Sequence, residues 1–271
     1  MTPELSDLER MARSAGEILS EGFPRRPGFD RDIQIDYKGV IDPVTEMDHR
    51  AERFLIDEIR RKYPNDHILT EESGKLSGKD NCSWYIDPLD GTINYAHGLP
   101  VFSVSIGFEI SGEMKLGVVY NPVLDECFSA EQGNGAMLNG QQIRVSQIDD
   151  LKQSLIVTGF PYDRRSNPNN NLEQFNRLAL LTQGVRWLGS AALDLCYVAA
   201  GRLEGFWELR MSQWDLAAGA LIAREAGAVV TAVDGNPDFF TPPCSVLAAN
   251  PVVYPRMLEA IRETEYTNSP D

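Results

Sequence analysis

Apolar residues recur every three to four positions at the start of the chain: Leu5, Leu8, Met11, Ala12, Ala15, Ile18 and Leu19. That spacing predicts an amphipathic helix, with Thr2-Pro3 as its cap and first turn. Met47, Ala51, Phe54, Leu55 and Ile59 mark a second helical face, which should start near Asp42-Pro43 and stop at Tyr63-Pro64. The period then shortens. Ile68-Leu69, Trp84-Tyr85-Ile86, 101–110, 115–120, 127–130 and 142–145 read as strands, with a hairpin turn at Ser111-Gly112.

From Ser154 the rhythm alternates. Strands are expected at 154–159, 185–188, 205–209, 229–233 and 245–249. Helices are expected at 172–181, 190–200 and 214–226, the last closed by Gly227, and a final helix should start at Pro251. Helices followed by a run of strands predict an α+β first half with an antiparallel sheet, and alternation predicts an α/β second half. The boundary falls near residue 150, giving parts 1–150 and 151–271 packed as one unit.

Composition changes this picture little. The chain has 271 residues, 42% hydrophobic and 24% charged, as in ordinary globular proteins. It contains no apolar run of the length a membrane span needs and no signal-peptide pattern at MTPELSDLER. A formal charge of −15 argues against nucleic acid or an anionic membrane as partner. Cys82, Cys127, Cys196 and Cys244 are dispersed, as are His49, His67 and His97, so neither a disulfide frame nor a zinc site is expected. These readings point to a cytoplasmic protein.

Chemistry concentrates in Asp87-Pro88-Leu89-Asp90-Gly91-Thr92, directly after a strand-like run. Pro88 stiffens the loop and Gly91 permits a tight turn, so two carboxylates can face one hard cation. The amides of Gly91 and Thr92 can face an anion where a helix begins. A plain Asp-Pro, Asp-Gly turn is the competing explanation. Three more acidic features matter: Glu71-Glu72-Ser73-Gly74, Trp214-Asp215 ahead of Leu216-Ala217-Ala218-Gly219-Ala220, and Asp48 three residues after Thr45. Each also has a simple explanation, as a solvated loop or as acids at positive helix N-termini.

Taken together, these motifs resemble the inositol monophosphatase family over nearly the whole chain. Asp42 to Asp48, Glu71-Glu72-Ser73, Asp87 to Asn94 and Trp214 to Gly227 fall in the family's order. The resemblance implies a layered α/β/α/β/α architecture, shared with fructose-bisphosphatases. It implies hydrolysis of a small phosphate monoester, such as inositol monophosphate, by in-line attack of a metal-activated water. Two or three magnesium ions are implied, with manganese possible, together with lithium sensitivity and a homodimer.

On this pattern Glu71, Asp87 and the Leu89 carbonyl hold one ion. Asp87, Asp90 and Asp215 hold a second, and a third sits near Glu71. Thr92 and Asp48 deprotonate the water, and the Gly91 and Thr92 amides bind phosphate. Glu208, Gly189, Ser190 and Ala191 face the polyol, and Asp90 also meets a substrate hydroxyl. Such acids need cations, because two charges about 5 Å apart at an effective dielectric near 20 repel by roughly 3 kcal/mol. All-oxygen ligation suits magnesium, and bound cations let an acidic protein hold an acidic substrate.

Tyr95 stands where phenylalanine is commoner in the family, and Thr70 where glycine is frequent; Arg210 is expected in solvent. Alternative substrates are fructose 1,6-bisphosphate, histidinol phosphate and phosphoadenosine phosphate. A nucleophilic-aspartate phosphatase needs two aspartates separated by one residue, whereas two residues lie between Asp87 and Asp90. A metal- or ligand-binding regulator has no need for the Thr92–Asp48 pair.

Overall fold

A computed structural model of the chain describes residues 2–23, 35–37 and 43–266. Helix α1 (Leu5–Gly22) is followed by the short strands β1 (Ile35–Tyr37) and β2 (Pro43–Thr45), which pair with each other, and by α2 (Glu46–Lys62). Strands β3 (His67–Thr70), β4 (Gly74–Leu76) and β5 (Cys82–Asp90) lead to α3 (Thr92–Ala96). Next come β6 (Ser103–Ile110), β7 (Glu113–Asn121), β8 (Glu126–Glu131), β9 (Ala136–Leu138) and β10 (Gln141–Ile143). Beyond a 3₁₀ turn at Leu151–Gln153 lie β11 (Leu155–Thr158), α4 (Leu172–Leu181), β12 (Gly184–Arg186), α5 (Ala191–Ala199) and β13 (Gly205–Met211). The chain continues through α6 (Gln213–Glu225), β14 (Val229–Thr231), β15 (Cys244–Ala249) and α7 (Tyr254–Tyr266).

Two large sheets form. Eight strands run in the order β10-β9-β8-β7-β6-β5-β3-β4, antiparallel except for the β3–β5 pair. Five run in the order β12-β11-β13-β15-β14, parallel where β11 meets β12 and β13 and antiparallel around β15. Helices α1 and α2 cover one face of the larger sheet; α5 and α6 fill the space between the sheets; α4 and α7 cover the outer face of the smaller one. The result is the five-layer α/β/α/β/α arrangement. Its apolar cores follow the layers, with Leu8, Leu55, Trp84 and Phe108 in the first, Phe128, Leu195, Leu216 and Phe206 in the middle, and Trp207, Leu247 and Met257 in the last. Among the described residues no helix is long and apolar enough to cross a membrane.

The small-residue run of α6 has a packing cause. Gly107 and Gly117 pair across β6 and β7, and α6 lies directly on them. A Cβ on Gly107 would sit 2.6 Å from Ala217 Cβ, and one on Gly117 would sit 2.9 Å from the Ala218 carbonyl oxygen. Only small residues on both sides permit this approach.

Several expectations shift. Helix α1 begins at Leu5, because Glu4 takes the N-cap place and its amide is matched by Asp7. Helix α2 begins at Glu46, because Thr45 caps it; Asp42 lies outside the described residues. Pro251 starts no helix, because Asn250 Oδ1 accepts from the amides of Val252 and Val253 in a turn before Tyr254. The first sheet is mixed rather than purely antiparallel. The Ser111-Gly112 hairpin forms as expected, with both residues at positive φ.

Candidate active site

Strand β5 delivers the central acids. Asp87 pairs with Ser105 and Asp90 with Ser103, so β5 carries one extra residue between these points. The bulge falls at Pro88-Leu89, where a proline is tolerated within a sheet. The carboxylates therefore lie within the bulged end of the strand rather than beyond it. Gly91 then adopts φ 96° and caps the short helix α3. A Cβ there would come within 2.9 Å of the Val101 carbonyl oxygen, so the turn requires glycine.

The four proposed acidic metal ligands come from three places in the fold. Asp87 and Asp90 come from β5, Glu71 from the β3–β4 turn and Asp215 from the first turn of α6. All four line one cleft of about 840 Å³. Asp87 is 2% exposed, and its Oδ1 accepts from the Leu89 amide at 3.0 Å. Burial raises its pKa well above the usual carboxylate range, and the charges of Glu71, Asp90 and Asp215 raise it further.

Asp90 is also pushed up by burial, although its oxygens accept four bonds. Ser190 Oγ donates at 2.6 Å, the Ala192 amide at 2.9 Å, the Ala191 amide at 3.2 Å and Ser103 Oγ at 3.5 Å. Ser190 and Ala191, expected to face substrate, thus also clasp Asp90 at the N-terminus of α5. Only the Ala191 amide among these bonds reaches Oδ1, so that oxygen keeps a lone pair free for a further ligand.

Asp48 and Asp215 both occupy the third position of a capping box. Thr45 N donates to Asp48 at 2.8 Å, and Ser212 N to Asp215 at 2.7 Å. The simple explanation as helix caps is therefore true of both, and it coexists with their place at the site. Thr92 Oγ lies 3.2 Å from Asp48 Oδ1 and 3.0 Å from the Leu89 carbonyl oxygen, and its hydroxyl can donate a hydrogen bond to either. Burial raises the Asp48 pKa to about 6, against the pull of its bonds from Thr45.

Glu208, on β13, has its pKa raised well above normal by burial, then by Asp215 and Asp90. Its carboxylate occupies the space a side chain at residue 159 would take, where a Cβ would stand 2.1 Å from Oε2. Gly189 adopts φ 83° beside Asn94, whose Nδ2 donates to the Leu188 carbonyl at 2.6 Å and the Val101 carbonyl at 2.7 Å. Asn94 thereby ties the 188–190 turn to the residues after β5.

Arg210 does not simply sit in solvent. It lines the cleft and pairs with Asp163, with Nη1 at 2.7 Å from Oδ2. Beside it Arg164 stacks on Trp187, its guanidinium 5.1 Å from the ring centre. Asp194 escaped the sequence reading. It lies on α5, is 2% exposed and lines the cleft, and its Oδ1 has no partner among the described residues. Its signal is an aspartate inside the apolar run Ala191-Ala192-Leu193-Asp194-Leu195-Cys196.

Among the described residues no three acid, imidazole or thiol side chains form a ready-made metal cage. The donor chemistry nevertheless suits a hard divalent cation. Asp87 is deeply buried among like charges and has a single amide for company, and neighbouring oxygens come from carboxylates and carbonyls. Cations relieve that repulsion.

Comparison with known proteins agrees. Residues 3–266 match the model of the inositol monophosphatase family. An inositol-1-monophosphatase from Synechocystis is 45% identical, over 96% of this chain and 91% of its own. Nus factor SuhB from Pasteurella multocida is 43% identical, over 93% and 94%. The solved inositol monophosphatase of Anabaena superposes with a TM-score of 0.84 at 42% identity, over 96% of this chain and 95% of that one.

Proposed function

This chain belongs to the inositol monophosphatase family, and on that premise we propose that it is a metal-dependent phosphoric monoester hydrolase acting on inositol monophosphate or a closely related polyol phosphate. The observation that carries the reading is the meeting of Glu71, Asp87, Asp90 and Asp215 in one cleft beside the Asp48–Thr92 pair. Glu71, Asp87 and the Leu89 carbonyl would hold one ion, and Asp87, Asp90 and Asp215 another. Bound divalent ions supply charge neutralisation and an acidified water.

The chain's own groups do the rest. Thr92 Oγ orients the attacking water, and Asp48, with a pKa of about 6, takes its proton. The Gly91 and Thr92 amides receive phosphate oxygens, as preorganised donors for phosphoryl transfer. Glu208, Asp90 and the 189–191 turn meet the polyol hydroxyls. The same reading includes magnesium as the resident ion, two or three per chain, lithium inhibition and a homodimer. It includes a cytoplasmic location, which the four free cysteines suit. The division into 1–150 and 151–271 belongs to it as well.

A second reading draws on the mouth of the cleft. Arg210 and Arg164 stand there with Trp187, and cations in that position favour a substrate with a second phosphate, such as fructose 1,6-bisphosphate. The test is phosphate release from inositol monophosphate, fructose 1,6-bisphosphate, histidinol phosphate and phosphoadenosine phosphate under magnesium titration. Inositol monophosphate should turn over best, with activity abolished by chelation and inhibited by lithium. Faster turnover of the bisphosphate supports the second reading. Failure to hydrolyse any of the four in magnesium would overturn both.

A further inference from the structure

A buried carboxylate one helical turn beyond Asp48 has no part in the roles above. Glu52 is 3% exposed and lies on the inner face of α2. Glutamate is seldom buried so deeply without partners, and the partners of Glu52 are informative. Thr70 Oγ donates to its Oε2 at 2.7 Å, the Glu72 amide at 2.9 Å and the Ser73 amide at 3.3 Å. Ser73 Oγ donates to its Oε1. These donors come from the residue before Glu71 and the two after it. The Glu71 side chain itself lines the cleft. Glu52 therefore grips the turn around Glu71.

We propose that Glu52 is a positioning residue for Glu71, and that α2 is the rigid spacer that holds the metal-binding turn at a set distance from the Asp48–Thr92 pair. The spacing follows from the helix. Asp48 and Glu52 are four residues apart and share one face of α2. Asp48 reaches Thr92 at the end of β5, while Glu52 reaches the turn after β3. One helix thereby ties together the two loops that must cooperate. An apolar residue at position 52 would suit the buried face of α2 that also carries Ala51 and Leu55. It would leave the donors of Thr70, Glu72 and Ser73 without this acceptor and the turn free to move.

This inference rests on the metal-dependent reading, and its test separates the two. Magnesium and manganese affinities are measured by titration calorimetry on wild type, Glu52→Gln, Glu71→Gln and the double variant. Loss of an outer partner of a metal ligand typically weakens binding about 10–100-fold, so Glu52→Gln should raise the dissociation constant by about tenfold. In the Glu71→Gln background the same change should have less than about a twofold effect, because a residue acting through Glu71 has nothing left to act on. A purely structural role would lower the metal-free melting point and weaken binding equally in both backgrounds.

Equal affinity in wild type and Glu52→Gln, or equal losses in both backgrounds, overturns the role of Glu52 and leaves the phosphatase reading intact. Wild type that binds neither ion overturns the metal reading and this role with it. Should Glu52→Gln fail to fold, Ser73→Ala on the exposed turn removes a single donor and should still weaken binding by about threefold. No change in that variant also overturns the proposal.

Discussion

The approach of α6 to the large sheet can be tested through two methyl groups. Gly107→Ala adds a Cβ whose centre would fall 2.6 Å from Ala217 Cβ, closer than packed carbons come. Overpacking of this kind costs about 1–3 kcal/mol. A strand glycine replaced by alanine regains about 0.5–1 kcal/mol of backbone entropy, so the net loss is about 1–2 kcal/mol. For a chain of this size that corresponds to a fall in melting point of about 2–8 °C. Ala217→Gly removes the opposing methyl and should restore part of the loss, although glycine within a helix costs about 1 kcal/mol. A double-mutant cycle should therefore give a favourable coupling of at least about 1 kcal/mol. Gly117→Ala makes the contrast. Its Cβ would meet the Ala218 backbone, with the carbonyl oxygen at 2.9 Å and Cα at 3.0 Å, so Ala218→Gly should rescue nothing. Because Asp215 lies on the same helix, both single alanines should also raise the magnesium concentration needed for half-maximal activity. The assay is thermal unfolding by circular dichroism, paired with magnesium titration of phosphate release. Zero coupling between residues 107 and 217 would refute the packing argument.

Two further outcomes are expected. Thr92→Ala should lower kcat by about 10²–10³-fold while the metal-free melting point moves little, and Thr92→Ser should recover most of the loss; an alanine variant keeping more than a tenth of wild-type kcat would remove Thr92 from the chemistry. Chelated protein should gain stability as pH falls from 8 to 5. Asp48 has a folded pKa of about 6 against 3.8 unfolded. Its burial cost is therefore present above pH 6 and disappears as pH falls through 6 toward 3.8, a change of about 3 kcal/mol in full. Asp87, Asp90, Asp194 and Glu208 are raised as well and act in the same direction. Asp7 is lowered and opposes them only at pH below its unfolded value of 3.8. A melting point that falls steadily from pH 8 to 5 would refute the burial of these acids.

Much of this fold was legible because its signals are local. The Leu172–Leu181 helix was read to the residue, and the Ser111-Gly112 turn announced the β6–β7 hairpin. Strand β9 was missed, although Asn139-Gly140 between β9 and β10, with φ of 49° and 76°, is a strong hairpin signal. Three residues per strand gave too little alternation to notice. The parallel pairing of β3 with β5 was not legible, because parallel register depends on partners distant in sequence. Motif spacing singled out four acids that the fold brings to one cleft, and the helix rhythm of α2 placed Asp48 near its start. The surroundings of Glu52 and Asp194 were hidden for one reason: each is an acid on an apolar helix face, and only the neighbouring layers reveal what it meets.

The arrangement of the acids also explains how so much buried negative charge is tolerated. Asp48 lies in the first turn of α2 and Asp215 in the first turn of α6, while Asp90 accepts from Ser190, Ala191 and Ala192 at the start of α5. Each carboxylate thus faces the positive end of a helix and its unpaired amides. That effect is worth about 0.3–1 kcal/mol per helix, and up to about 2 when partly buried. Repulsion between two acids about 5 Å apart is roughly 3 kcal/mol at an effective dielectric near 20. The helix termini therefore offset part of one repulsion each, and Asp87 has no helix of its own. Its pKa is raised first by burial and then by the charges of Glu71, Asp90 and Asp215. The folded chain is left with an electrostatic deficit centred on Asp87, which either protons or divalent cations can fill. Protons and metal must then compete for the same carboxylates, so apparent magnesium affinity should weaken as pH drops from 8 to 6. An affinity unchanged over that range would mean that the deficit at Asp87 is filled by something other than the cation.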